Sequence, residues 1–235
     1  MNYRAVLRQL HARLQPQTYL EIGVKRGISL ALSQAPRTIG IDPKPHADAH
    51  ALLNRPGVAL YALTSDAFFA EHTRDSVLQG AQIDLAFIDG LHQFDQVLRD
   101  FIHVERWCSP AGVIAIHDVI PPSEAAASRE HCPGPWSGDV WQMVPCLRDY
   151  RPDLDCLLVR TPPSGLLIVR HLNPSSDVPT VNLEEMLRSA PEDGEPYTTA
   201  VREYLANVSA VSPREALDRL SGPSTEVVKP HRRRQ

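Results

Sequence analysis

The chain has 235 residues, of which 43% are hydrophobic and 22% charged, with a formal net charge of −4. That size suits one α/β domain with a tail, and the composition excludes wholesale disorder. The acidic balance excludes a broad field for nucleic acid, since the one dense basic run, His231-Arg232-Arg233-Arg234, reads as a solvated tail. Cys108, Cys132, Cys146 and Cys156 form no C-x-x-C pair and read as reduced thiols. The N-terminus lacks the apolar stretch of a signal peptide, and no run approaches the ~18 apolar residues of a membrane span. The expectation is a soluble, cytoplasmic protein with no membrane or nucleic-acid partner.

Tyr3, Val6, Leu7, Leu10 and Leu14 share one helical face, and Pro16 ends that helix before an apolar run at Thr18–Ile22. A glycine turn through Gly27, a helix over 29–34 and a second strand over 38–41 ending at Asp42 follow. Further strands are expected at 58–63, Ile83–Ile88 and 113–116. Phe94, Val97, Leu98, Phe101 and Val104 mark the clearest helix between them. Short apolar strands alternating with amphipathic helices predict an α/β, Rossmann-like, doubly wound and mostly parallel sheet. After Pro121-Pro122 a Pro- and Gly-rich loop runs to about Gly138, and segments 156–160 and 165–169 predict a C-terminal antiparallel hairpin. Residues 1–173 thus form the domain. Residues 174–235 form an extension with short helices expected at 183–189, 199–208 and 213–220 and disorder in the last ten residues.

Glu21-Ile22-Gly23-Val24-Lys25-Arg26-Gly27 lies where the first strand becomes a turn, and glycines there let the backbone approach a ligand. Asp42, at the end of the second strand, can accept hydrogen bonds from both hydroxyls of a ribose, and Ser65-Asp66 adds a hydroxyl and a carboxylate at the same edge. A glycine pair can also be a plain turn, and Asp42 before Pro43 can start another. Lys25 stands where a dinucleotide fingerprint needs its middle glycine, which disfavours NAD and FAD.

Asp89 and His92 follow the fourth strand, and His117-Asp118 ends the fifth. Neighbouring strands about 4.8 Å apart would let Asp89 and Asp118 share one cation. A metal ion there would polarise an acceptor hydroxyl while His92 removes its proton. Asp89 could instead order the cofactor loop, and His117 could be a satisfied core histidine. Trp136, Trp141 and Asp139 suggest a lid, with Trp141 equally suited to the core; Phe68, Phe69, Phe94 and Trp107 are assigned to the core.

Tyr19-Leu20-Glu21-Ile22-Gly23 with Gly27 and Ser29, then Phe87-Ile88-Asp89-Gly90 with His92, then His117-Asp118, resembles the family-24 class I S-adenosylmethionine-dependent methyltransferases. The likeness extends to metal-dependent macrolide sugar O-methyltransferases. It implies methyl transfer to a hydroxyl of a small-molecule or glycan acceptor, with S-adenosyl-L-methionine held by Glu21, Gly23, Gly27, Ser29, Asp42, Ser65, Asp66 and Asp89. It implies His92 as catalytic base and a metal at Asp89, His117 and Asp118. His117 replaces the first of two adjacent acids of that pattern, so manganese is expected slightly ahead of magnesium. A metal-independent methyltransferase, a non-catalytic binding module of the same fold and an iron hydroxylase are the rivals, and a homo-oligomer is left open.

Overall fold

Apolar runs too short for helices become the strands of a single sheet in the computed structural model, which describes residues 1–191 and 194–221. They are β1 (Thr18–Ile22), β2 (Arg37–Ile41), β3 (Val58–Tyr61), β4 (Ile83–Ile88), β5 (Cys108–His117), β6 (Asp155–Val159) and β7 (Leu166–Arg170), in the order β3-β2-β1-β4-β5-β7-β6. The first five are mutually parallel, whereas β7 runs antiparallel to both β5 and β6. The mostly parallel sheet and its terminal hairpin are those the sequence predicts. The strand order reverses between β1 and β4, which opens a crevice at their carboxyl ends.

The helices are α1 (Tyr3–Leu14), α2 (Ala47–His50), α3 (Ser65–Glu71), α4 (Arg74–Leu78), α5 (Phe94–Trp107), α6 (Met143–Tyr150), α7 (Val178–Val181), α8 (Leu183–Arg188), α9 (Glu195–Asn207) and α10 (Pro213–Ser221). Alternation along the strands sends Leu20, Ile22, Ala86, Ile88, Ile114 and Ile116 to one face, where Phe94, Val97, Leu98 and Phe101 of α5 cover them. Tyr19, Leu85, Phe87, Val113 and Ala115 take the other face, under Val6, Leu7 and Leu10 of α1 and Ala216 and Leu217 of α10. Burying each large apolar side chain contributes about 1.5–3 kcal/mol, so both faces are strongly held. Phe68, Phe94, Trp107 and Trp141 are buried, and Phe69 packs partly buried against Phe68 and Trp107.

Several boundaries differ from expectation. The helix expected at 29–34 is only a 3₁₀ turn, Leu30–Leu32, because Gly27 takes φ +76 before it and Pro36 closes the segment after it. The third strand stops at Tyr61, since Thr64 already caps α3 through its side chain. The fifth strand begins at Cys108, earlier than expected, with a register irregularity against β4 near its start. The solvated basic tail and the disorder expected in the last ten residues lie outside the described residues.

Residues beyond 173 pack on the domain. α9 lays Val201, Tyr197 and Tyr204 against Ala127 and Trp141. Tyr204 donates its hydroxyl hydrogen to the carbonyl of Val119 at 2.6 Å, Tyr197 donates to that of Ala127, and Arg202 pairs with Glu124. α10 meets α1, where Arg13 donates to the carbonyl of Leu217. No described helix is long and apolar enough to cross a membrane.

Candidate active site

β1 and β4 must lie close for their carboxyl ends to form a floor, and Gly23 makes this feasible. Its φ is +89, and a Cβ there would stand 2.0 Å from the carbonyl oxygen of Asp89. No side chain is tolerated at such a distance. The turn that follows is fixed from beneath by Glu21, which is fully buried on the α1 face. Glu21 accepts hydrogen bonds from the Tyr19 hydroxyl at 2.6 Å and the Ser29 hydroxyl at 2.7 Å. Burial pushes its carboxyl up to about 8, against the opposing pull of those two donors.

Asp42 ends β2 with both carboxylate oxygens engaged by backbone: Lys25 N–H donates to one and Lys44 N–H to the other, each at 2.7 Å. It therefore ties the glycine turn to β2 and still faces the cavity. Thr64 and Ser65 continue the same edge from β3, and Gln96 of α5 joins them by donating to Ser65 Oγ at 3.2 Å. Asp66, expected beside the ligand, is not among the lining residues. Its carboxylate accepts from Gln96 at 3.1 Å and faces Arg99 at 3.5 Å. Glu21 and Gly27 likewise support the turn from outside the lining, whereas Gly23 and Ser29 are part of it.

At the other end of the crevice the two acids and two histidines meet. His92 Nε2 lies 3.4 Å from Asp89 Oδ1 and 3.1 Å from Asp118 Oδ2. His117 Nδ1 lies 3.1 Å from Asp89 Oδ1 and 3.3 Å from Asp118 Oδ2. Imidazole and carboxylate alternate around a closed ring. Burial opposes the charge on Asp89, His92 and His117, but attraction between the acids and the imidazoles overcomes it: Asp89 is lowered to about 2, His117 is raised to about 10 and His92 is raised. His92 Nδ1 and His117 Nε2 are buried with no partner. Asp118 adopts φ 64, uncommon for a residue with a side chain, and its other oxygen accepts from the Ser164 hydroxyl.

The surroundings complete the walls. Trp136 stacks on His92 with ring centroids 5.1 Å apart, and Tyr3 of α1 lies over His117 at 4.1 Å. Asp139, expected in a lid, anchors that loop: it accepts from Phe94 N–H at 2.6 Å and pairs with Arg129. Tyr3, Arg4 and Gln96 escape sequence reasoning, because the helix containing Tyr3 reads simply as an apolar face. Gln96 and Asp100 do carry a signal, being polar residues one helical turn apart beside the inward face of α5. One cavity of 1090 Å³ runs from Asp42 and Ser65 past Gly23 and Asp89 to His92, His117 and Asp118.

The carboxylates of Asp89 and Asp118 and the imidazole of His92 each offer a ligand atom, all within 4.8 Å of one another, while His117 Nδ1 lies 3.1 and 3.3 Å from the same two carboxylates. A donor set that mixes imidazole nitrogen with carboxylate oxygen fits a divalent ion of the first transition row better than magnesium, which prefers oxygen throughout.

Comparison with known proteins agrees with this architecture. Residues 20–119 match the family model described as a methyltransferase domain. The cofactor-bound protein Rv0187 from MTB superposes with a TM-score of 0.58 at 18% identity, covering 74% of this chain and 82% of that one. The O-methyltransferase TomG from Streptomyces achromogenes, involved in tomaymycin synthesis and solved with SAM, gives 0.56 at 17%, covering 72% and 79%. The SAH-bound methyltransferase PaMTH1 of Podospora anserina gives 0.53 at 17%, covering 71% and 76%. No curated protein matches the sequence. The chain is thus similar over residues 20–119 to a methyltransferase domain, and its Rossmann-like fold is the one shared by these solved proteins.

Proposed function

We propose that the protein transfers the methyl group of S-adenosylmethionine to a hydroxyl of a small-molecule or glycan acceptor. The observation that carries this reading is the single cavity joining a ribose-type carboxylate, Asp42, to the histidine and carboxylate ring three strands away. At 1090 Å³ it exceeds the about 300–1,000 Å³ of ordinary small-molecule sites, enough for donor and acceptor together. Asp42, Ser65, Gly23 and Ser29 hold the donor from the β2, β3 and β1 ends, with Asp89 at the boundary between the two halves.

The acceptor oxygen loses its proton to His92 and attacks the methyl carbon, while the carbon–sulfur bond breaks and its electron pair remains on sulfur. The products are a methyl ether and neutral S-adenosylhomocysteine. Asp89 and Asp118 hold the imidazole and stabilise the imidazolium that results, and the protein otherwise contributes alignment of the three reacting centres. Asp89, Asp118 and His117 would hold a divalent cation, which when bound supplies Lewis-acid polarisation of the acceptor hydroxyl. A second, metal-free reading has its own support, because the two imidazoles already bridge the two carboxylates into a balanced ring.

Calorimetry with S-adenosylhomocysteine tests the donor half, with binding in the micromolar range expected and binding of NAD alone refuting it. Elemental analysis of the purified protein, with activity before and after chelation, tests the metal. Manganese bound and activity lost on chelation is the expected result; full activity in excess EDTA with no metal present leaves the metal-free reading. His92→Gln should lower the rate about 10²–10⁴-fold with partial recovery at high pH.

A further inference from the structure

The cavity also holds cationic side chains that the chemistry above does not use. Arg4, Lys25, Arg26 and Lys44 all line it and all are exposed. Among the described residues no carboxylate lies within 4.0 Å of any of the four. Arginines elsewhere, such as Arg129, Arg151 and Arg202, each face one. The three carboxylates lining the same cavity are already engaged, Asp42 by backbone N–H groups and Asp89 and Asp118 by the two histidines. A chain of net charge −4 thus concentrates unmatched positive charge at one mouth, and two of its three lysines, Lys25 and Lys44, stand there.

These cations divide along the sheet. Lys25, Arg26 and Lys44 follow β1 and β2, beside the end assigned to the methyl donor. Arg4 belongs to the β5 end, because its neighbour Tyr3 lies over His117. Three strand spacings, roughly 14 Å, separate β2 from β5. Arg4 Nε donates to the Tyr3 hydroxyl at 3.1 Å, and its Cζ lies 5.2 Å from the Tyr3 ring centroid. The guanidinium is steadied on one edge, and its two terminal nitrogens make no hydrogen bond to the described protein. A planar fork of that kind matches a carboxylate or phosphate through two parallel hydrogen bonds.

We infer that the acceptor carries an oxyanion, a carboxylate or a phosphate, and that Arg4 binds it beside the hydroxyl to be methylated. The inference rests on the methyltransferase reading of the same site. Arg4 acts as a specificity residue, held by Tyr3, whose ring lies against the imidazole of His117.

The test is calorimetry on the protein loaded with S-adenosylhomocysteine, using glucose, glucuronate and glucose 6-phosphate as matched neutral, carboxylate and phosphate probes. One anionic sugar should bind at least about tenfold more tightly than glucose, and which one identifies the anion. Arg4→Gln should abolish the preference and leave S-adenosylhomocysteine affinity within about twofold, with partial recovery in Arg4→Lys. Arg8→Gln, an exposed change on the same helix outside the cavity lining, should change nothing. Equal affinity for all three sugars, binding of none at millimolar concentration, or a preference that survives Arg4→Gln would overturn the inference alone. Absence of S-adenosylhomocysteine binding would remove the methyltransferase reading and this inference with it.

Discussion

Replacing Glu21 with Gln should change how stability depends on pH. The wild-type carboxyl, buried among Tyr19, Ser29 and the sheet, is raised from 4.5 to about 8, so between those values the folded state holds a proton that the unfolded state releases. Stability from this group is complete below pH 4.5 and is lost as pH rises towards 8. The slope is about 1.4 kcal/mol per pH unit, and the whole window amounts to an order of 4–5 kcal/mol. An amide has nearly the same shape, can accept from Ser29 and donate to Tyr19, and does not titrate. Urea unfolding at pH 5, 6, 7 and 8 should therefore show Glu21→Gln gaining on the wild type by about 1.4 kcal/mol with each unit. Asp100, buried and raised to about 6, titrates in both proteins and cancels in the comparison. Parallel profiles for the two proteins would refute the reasoning, showing that Glu21 is charged in the fold and held so by its hydrogen bonds.

Asp42→Ala should weaken S-adenosylhomocysteine binding about tenfold or more in calorimetry, since a carboxylate on ribose hydroxyls makes charge-assisted bonds of about 1.5–3 kcal/mol. Unchanged affinity would leave Asp42 as a brace for Lys25 and Lys44 alone. Gly23→Ala should cost several kcal/mol in chemical unfolding and remove donor binding, because its methyl would meet the Asp89 carbonyl at 2.0 Å. A variant with wild-type stability and binding would show that the ends of β1 and β4 separate freely.

The sheet was legible because its strands are apolar on both faces, so β1 and β4 stand out as runs bounded by turn residues. The meeting of Asp89 and His92 with His117 and Asp118 was legible for the same reason: all four sit at the ends of strands that had to be neighbours. What the sequence hid depends on direction. Glu21 looks like a ligand residue by position, yet strand alternation turns it with Tyr19 towards α1, where it braces the turn instead. Asp66 falls one residue into α3, which swings its carboxylate to Gln96 and Arg99. Tyr3 and Arg4 reach the site only because α1, distant from β5 in sequence, lies across the face containing Phe87. No local pattern encodes that placement. The short turn at Leu30–Leu32 was misjudged as a helix because three apolar residues suit either form.

α9 gives the chain a constraint on how it can diversify. The loop after β5 supplies Trp136 to the wall beside His92, and the same loop region is gripped at Val119, Glu124 and Ala127 by Tyr204, Arg202 and Tyr197. Lengthening or reshaping that loop to alter the cavity wall would shift three anchor points that belong to a helix some seventy or more residues away in sequence. The sheet and the helices after residue 173 are therefore not interchangeable modules: a new loop grafted without a matching α9 would lose its fastenings, and any change to the cavity wall must act on both segments together.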